Sequence, residues 1–211
     1  MSRIFNPDSP VMIFLGKLAD MILLSLLWFV CCLPVFTIGP ATTALFFAVM
    51  RINHPEGKVF KDFFRSLRQN FWQAFVAELV SAILLILTIL EFRVLLRTGF
   101  GKSGWSWFLF VVLVIGSVGW SSWVFPILAK FECTWKQLFR TPLMFSILHF
   151  FTGIIIVCIN LLPFVAIIAW ADKLLAVLPV ALLLGPSGIA WINSIVLKKV
   201  FNKYITVSIE E

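Results

Sequence analysis

The chain has 211 residues, 61% of them hydrophobic and only 13% charged, with a mean hydropathy of +1.04 and a formal net charge of +7 at pH 7. A soluble domain of this size needs more polar surface to cover its core, so composition excludes an ordinary globular fold and places the chain in a bilayer. The basic residues sit in short segments beside apolar runs, which is the positive-inside pattern rather than that of a nucleic-acid binder. The length fits one membrane-embedded helical domain over residues 1–211.

Arg3 and Lys17 precede the first apolar run, which continues past Pro34 to Met50 without a small-x-small cleavage site. This reads as an uncleaved membrane segment. A single helix over residues 18–50 would be about 50 Å long against a hydrocarbon core of about 30 Å. The stretch Leu33-Pro34-Val35-Phe36-Thr37-Ile38-Gly39-Pro40 breaks it. Pro34 removes a backbone donor, and Gly39-Pro40 reads as a stop followed by a helix start with proline in first position. The expectation is a hairpin: one helix over 12–33 and a shorter one over 40–52, crossing or re-entrant.

Residues 51–72 carry Arg51, Lys58, Lys61, Arg65 and Arg68 against Glu56 and Asp62. Asn53-His54-Pro55-Glu56-Gly57 is a turn. Phe60, Phe63, Phe64 and Leu67 then recur at helical spacing among the charges, predicting a cytoplasmic amphipathic helix on the inner membrane surface. A span follows over 71–96, then a Gly-rich outer loop around Lys102 and a return span over 105–129 that enters with Trp105 and Trp107. A second inner loop over 130–142 holds Lys136 and Arg140. A span over 143–170, a minimal outer turn at Asp172 and Lys173, and a span over 174–197 complete the chain, with Lys198, Lys199 and Lys203 beyond. The fold class is all-α, a polytopic transmembrane bundle of about six apolar helices plus the amphipathic helix. Eleven of the 17 Lys and Arg fall in the proposed inner segments and four in the outer ones. Both termini are therefore expected in the cytoplasm, with a five-span chain as the competing layout.

Two internal similarities stand out. Residues 61–66 (KDFFRS) resemble 136–141 (KQLFRT), and Leu33-Pro34-Val35 before Gly39-Pro40 resembles Leu178-Pro179-Val180 before Gly185-Pro186. Paired broken helices are a pointer to a transporter site. Common Gly, Pro and apolar residues of membrane helices produce such matches as well.

Glu78 lies about two turns inside its span, where a carboxylate is costly and hence a candidate functional group, or else a tie between helices. Asn160 and Asn193 could line a polar path or join helices through their amides. Thr37, Gly39, Pro40 and Thr42 form a helix start whose donors and hydroxyls could hold an anion or a sugar hydroxyl, or simply cap the helix. Lys61, Phe63, Phe64, Arg65 and Arg68, with Lys136 and Arg140, form the candidate surface for docking anionic lipid or a protein partner. Cys31, Cys32, Cys133 and Cys158 contain no C-x-x-C pair and read as packing residues. His54 and His149 stand without acids or cysteines at ligand spacing, so no metal and no cofactor is expected. No hydrolase elbow, zincin helix or phosphate loop occurs.

The residues Leu26-Leu27-Trp28, then those from Leu33 to Leu45 (LPVFTIGPATTAL), then KDFFRS at 61–66 and Asn70-Phe71, resemble the YesL-like family of bacterial integral membrane proteins, a domain of unknown function. The resemblance is sharpest over residues 12–80. It implies a multi-pass protein of the cell membrane, and its members often sit beside genes for carbohydrate ABC importers and polysaccharide breakdown. It supplies no catalytic residues. The resulting expectation is a non-enzymatic accessory partner in carbohydrate uptake or its control, in contact with the lipid bilayer and with ABC transporter subunits. A small-solute transporter in its own right, and a structural or assembly factor, are the alternatives.

Overall fold

The computed structural model describes residues 10–52, 58–98, 104–131, 133–169 and 174–207. Seven α-helices run through them: α1 (Pro10–Cys32), α2 (Ile38–Arg51), α3 (Val59–Thr98), α4 (Gly104–Lys130), α5 (Trp135–Leu148), α6 (Phe150–Ala169) and α7 (Leu174–Val207), with a single 3-10 turn at Val35–Thr37. No strand occurs among the described residues. Four stretches among them are long and apolar enough to cross a membrane: Val11–Cys32, Val59–Arg97, Gly104–Lys130 and Ala181–Phe201. Helices α5 and α6, bent by 97° at His149, add a fifth if the pair is one broken span. The chain is thus a multi-pass helical membrane protein.

The expected break between the first two helices is present. After Pro34 the Thr37 hydroxyl donates to the carbonyls of Cys31 and of Pro34, tying off the end of α1. Helix α2 starts at Ile38, so Pro40 is its third residue rather than its first. Proline is still tolerated there, because the amides of a first turn have no intrahelical partner. At 14 residues, or about 21 Å, α2 is shorter than the hydrocarbon core and is not among the crossing stretches. It runs back along α3, with Gly39 beside Glu78 at one end and Arg51 beside Asp62 at the other.

Helix α2 is the centre of the bundle. Ten of its 14 residues are buried, and Ala41, Ala44 and Ala48 form a stripe of small side chains. Small residues let helix backbones approach closely, which drives helix packing where lipid is as apolar as the side chains. Around α2 the core collects Leu24 of α1, Phe63 of α3, Trp123 and Ile127 of α4, and Leu197 and Phe201 of α7.

Three boundaries differ from the sequence expectation. The amphipathic segment and the span after it form one 40-residue helix, α3, because no Gly or Pro between Val59 and Thr98 ends it. The second inner loop is largely helical: Thr134 and Gln137 make a capping box, with the Thr134 N–H donating to Gln137 Oε1 at 2.9 Å, and α5 starts at Trp135. Helix α7 continues through Pro179 and Pro186, so the second half of the proposed pair of breaks is not a break. A proline inside a membrane helix is tolerated when neighbours satisfy the freed groups. Here the Ser187 amide, next to Pro186, donates to the Ser25 hydroxyl of α1 at 3.3 Å, and the two hydroxyls pair at 2.9 Å.

The basic segments meet at one end of the bundle. Arg51 reaches Asp62 at 3.8 Å, Gln73 Nε2 donates to the Cys133 carbonyl at 2.8 Å, and the ring of Phe131 lies edge-on to Phe201 at 5.2 Å. The expected turns at 53–57, around Lys102, and at Asp172 and Lys173 lie outside the described residues, as do Arg3 and His54.

Candidate functional site

The break before α2 brings five of the seven candidate binding residues, Thr37, Gly39, Pro40, Thr42 and Glu78, to one junction. The Gly39 amide, in the first turn of α2, donates to Glu78 Oε2 at 3.0 Å. An amide there lacks a helical partner, and the N-terminal end of a helix favours negative charge, so Glu78 is held by both effects. A Cβ on residue 39 would lie 2.8 Å from the Ala74 carbonyl oxygen, 2.8 Å from Glu78 Cβ and 3.0 Å from Phe125 Cε1. Only glycine allows α2 to approach α3 this closely. Thr42 accepts from Trp28 Nε1 at 3.2 Å and donates to the Ile38 carbonyl at 2.7 Å. The Thr37 and Thr42 hydroxyls are thus committed to closing the junction. Glu78 is half-buried, and no cation pairs with it among the described residues. A carboxyl group with one oxygen on an amide keeps its other oxygen for a proton or a polar ligand.

Asn160 and Asn193 are brought together elsewhere. Asn193 Nδ2 donates to Asn160 Oδ1 at 2.8 Å, joining α6 to α7. That is the helix-tying role of an intramembrane amide, and it places both outside the Glu78 junction. The matching tie between Ser25 and Ser187 was not singled out from sequence, where two serines in apolar runs carry no distinctive signal. Between α4 and α6 a groove of about 300 Å3 is lined mainly by Val114, Val118, Ile154 and Val157. The buried Trp123 indole N–H has no hydrogen-bond partner among the described residues and lies against Gly153.

The basic surface divides by helix face. Lys61, Phe64, Arg65 and Arg68 of α3 are exposed. Phe63, expected on the docking surface, is instead fully buried against the α2 core. It shares the inward face of α3 with Ser66 and Ala74, whereas Phe64 lies one position around the helix and faces out. Asp62 also turns inward, to Arg51. On α5, Lys136, Phe139 and Arg140 are exposed while Leu138 is buried. The 61–66 and 136–141 similarity therefore corresponds to a shared register at four positions, Lys61/Lys136, Phe63/Leu138, Phe64/Phe139 and Arg65/Arg140, while Asp62 is buried and Gln137 is exposed. At this end of the molecule burial pushes the Cys133 thiol up, which keeps it protonated and poorly reactive.

No curated protein and no solved structure matches the chain. One family does, described as a protein of unknown function, DUF624, over residues 21–92, about a third of the chain. The matched stretch contains the second half of α1, the Pro34 break, all of α2 and α3 as far as Phe92, so it encloses Thr37, Gly39, Thr42 and Glu78 and the basic face of α3. Over those residues the chain matches the DUF624 model, in agreement with the YesL-like resemblance of its sequence.

Proposed function

We propose that this chain is a non-enzymatic accessory protein of the cell membrane, with both termini in the cytoplasm, that docks a carbohydrate importer of the ABC type through its basic end. The observation that carries the reading is the clustering of exposed aromatic and cationic side chains there: Phe64 and Arg68 on α3, Trp135, Lys136 and Phe139 on α5. Aromatic residues and arginine are the side chains enriched at protein interfaces. The positive-inside rule puts that end in the cytoplasm, where an importer's ATPase and coupling surfaces lie. The carbohydrate assignment rests on the YesL-like resemblance. Co-purification tests it: tagged protein at native levels brings down permease or ATPase subunits, and Lys136→Gln with Arg140→Gln reduces the yield. Recovery of no importer subunit sinks the proposal.

A second reading, a small-solute transporter, is favoured by the Glu78 carboxyl resting on the Gly39 amide inside the membrane segment. Purified protein in vesicles then shows specific solute flux that Glu78→Gln abolishes. Flux that survives this substitution removes Glu78 from any such role.

A further inference from the structure

Helix α3 carries two chemistries on one face. At 100° per residue, Lys61, Arg65 and Arg68 fall with Trp72, Leu79, Ile83 and Ile86 inside an arc of about 60°. All seven are exposed. The helix is unbroken, so the face changes from cationic to wholly apolar between Arg68 and Trp72 within one continuous helix. From Trp72 to Ile83 is about 16 Å, close to one leaflet of a hydrocarbon core about 30 Å thick.

The acids of this half of α3 are turned away from that face. Asp62 is buried and reaches Arg51, and Glu78 accepts from Gly39. The outward charge is therefore positive only. At the changeover an open cleft of about 560 Å3 lies among Phe64, Leu67, Arg68, Phe71 and Trp72. A guanidinium binds phosphate through two parallel hydrogen bonds, and tryptophan favours the headgroup level of a bilayer.

We infer that this face seats an anionic phospholipid, its phosphate on Arg65 and Arg68 and an acyl chain along the stripe from Trp72 to Ile83. A protein surface would have to match a cationic segment and a leaflet-deep apolar stripe in one continuous line, whereas a phospholipid has that form already. The inference shares Arg68 with the importer reading, which rests on α5 as well, and is tested by a different measurement.

The test uses the full chain in phosphatidylcholine vesicles containing a minority of lipid with brominated acyl chains, either phosphatidylglycerol or phosphatidylcholine. Bromine quenches indole fluorescence on contact, and the difference between wild type and Trp72→Phe isolates the Trp72 signal. The expected result is stronger quenching by the brominated phosphatidylglycerol, with the preference falling about tenfold in the K61Q/R65Q/R68Q variant. In the wild type the preference also falls as salt is raised, which needs no substitution and so is independent of how the variant folds. Equal quenching of Trp72 by the two lipids in the wild type overturns the inference. So does a triple variant that inserts normally and keeps its lipid preference while losing importer subunits on co-purification, because the face then belongs to a protein.

Discussion

Helix α2 and the outer half of α3 are both apolar, uncharged over most of their length and helical, yet they occupy opposite environments. Between Ile38 and Arg51, ten residues are buried. Between Leu79 and Arg97 only Leu95 is, while Ile83, Leu85, Ile86 and Leu90 are each more than half exposed. The difference is one of side-chain size. Helix α2 presents Gly39, Ala41, Ala44 and Ala48, which admit neighbouring backbones, whereas α3 presents leucine and isoleucine to lipid. Within a membrane, hydrophobicity says that a helix is inside the bilayer, and small residues say which helix is inside the protein.

The sharpest way to test this contrast is to empty a core position. Phe63→Ala should lower stability by about 3–5 kcal/mol, read by thermal or denaturant unfolding in detergent micelles. A loss below about 1 kcal/mol, within the range of an ordinary surface change, would show that the α2-centred core is not packed as described. Gly39→Ala should follow, at about 1–3 kcal/mol, since the added Cβ meets the Ala74 backbone rather than a flexible side chain. If that variant is as stable as the wild type, α2 and α3 are farther apart than the Gly39 to Glu78 hydrogen bond requires. Asn160→Ala should cost about 1–2 kcal/mol by leaving the buried Asn193 amide without its partner. An equal loss in Asn193→Ala that does not add to it in the double variant would confirm that the two act as one tie. Ile83→Ala, on the lipid-facing side, should stay within about 0.5 kcal/mol. A loss several times larger would mean that a second chain packs on the outer half of α3, and the comparison with α2 would have to be redrawn.

The Pro34 break, the span of α4 and the start of α3 were legible because Pro, Gly and charge act locally. The helix start at Trp135 was missed: the Thr134-x-x-Gln137 spacing carries a capping signal, but the charges around it read as a loop. The continuity of α3 was obscured by a change of surroundings: its polar half reads as a separate amphipathic helix, but no residue in it stops the backbone. In the candidate site, Glu78 and the Thr37–Thr42 stretch stand out singly because polar groups are expensive in lipid. Their union is not legible, since 39 residues of sequence separate Gly39 from Glu78. Phe63 and Phe64 look equivalent as text, and only the direction in which α3 meets α2 separates a core ring from a surface one.

The sequence by itself determined the solvent. Apolar runs of spanning length bounded by Lys and Arg admit only a helical membrane protein, because every backbone polar group in lipid must be satisfied within the chain. It also determined the break at Pro34. The tertiary structure decided that the shortest apolar helix is the most buried, that Asp62 and Glu78 face inward so that the first half of α3 shows only positive charge outward, and that Asn160 ties to Asn193. Those outcomes depend on how closely particular backbones approach, which is set by pairs of residues distant in the chain and is not encoded in the hydrophobicity of either one.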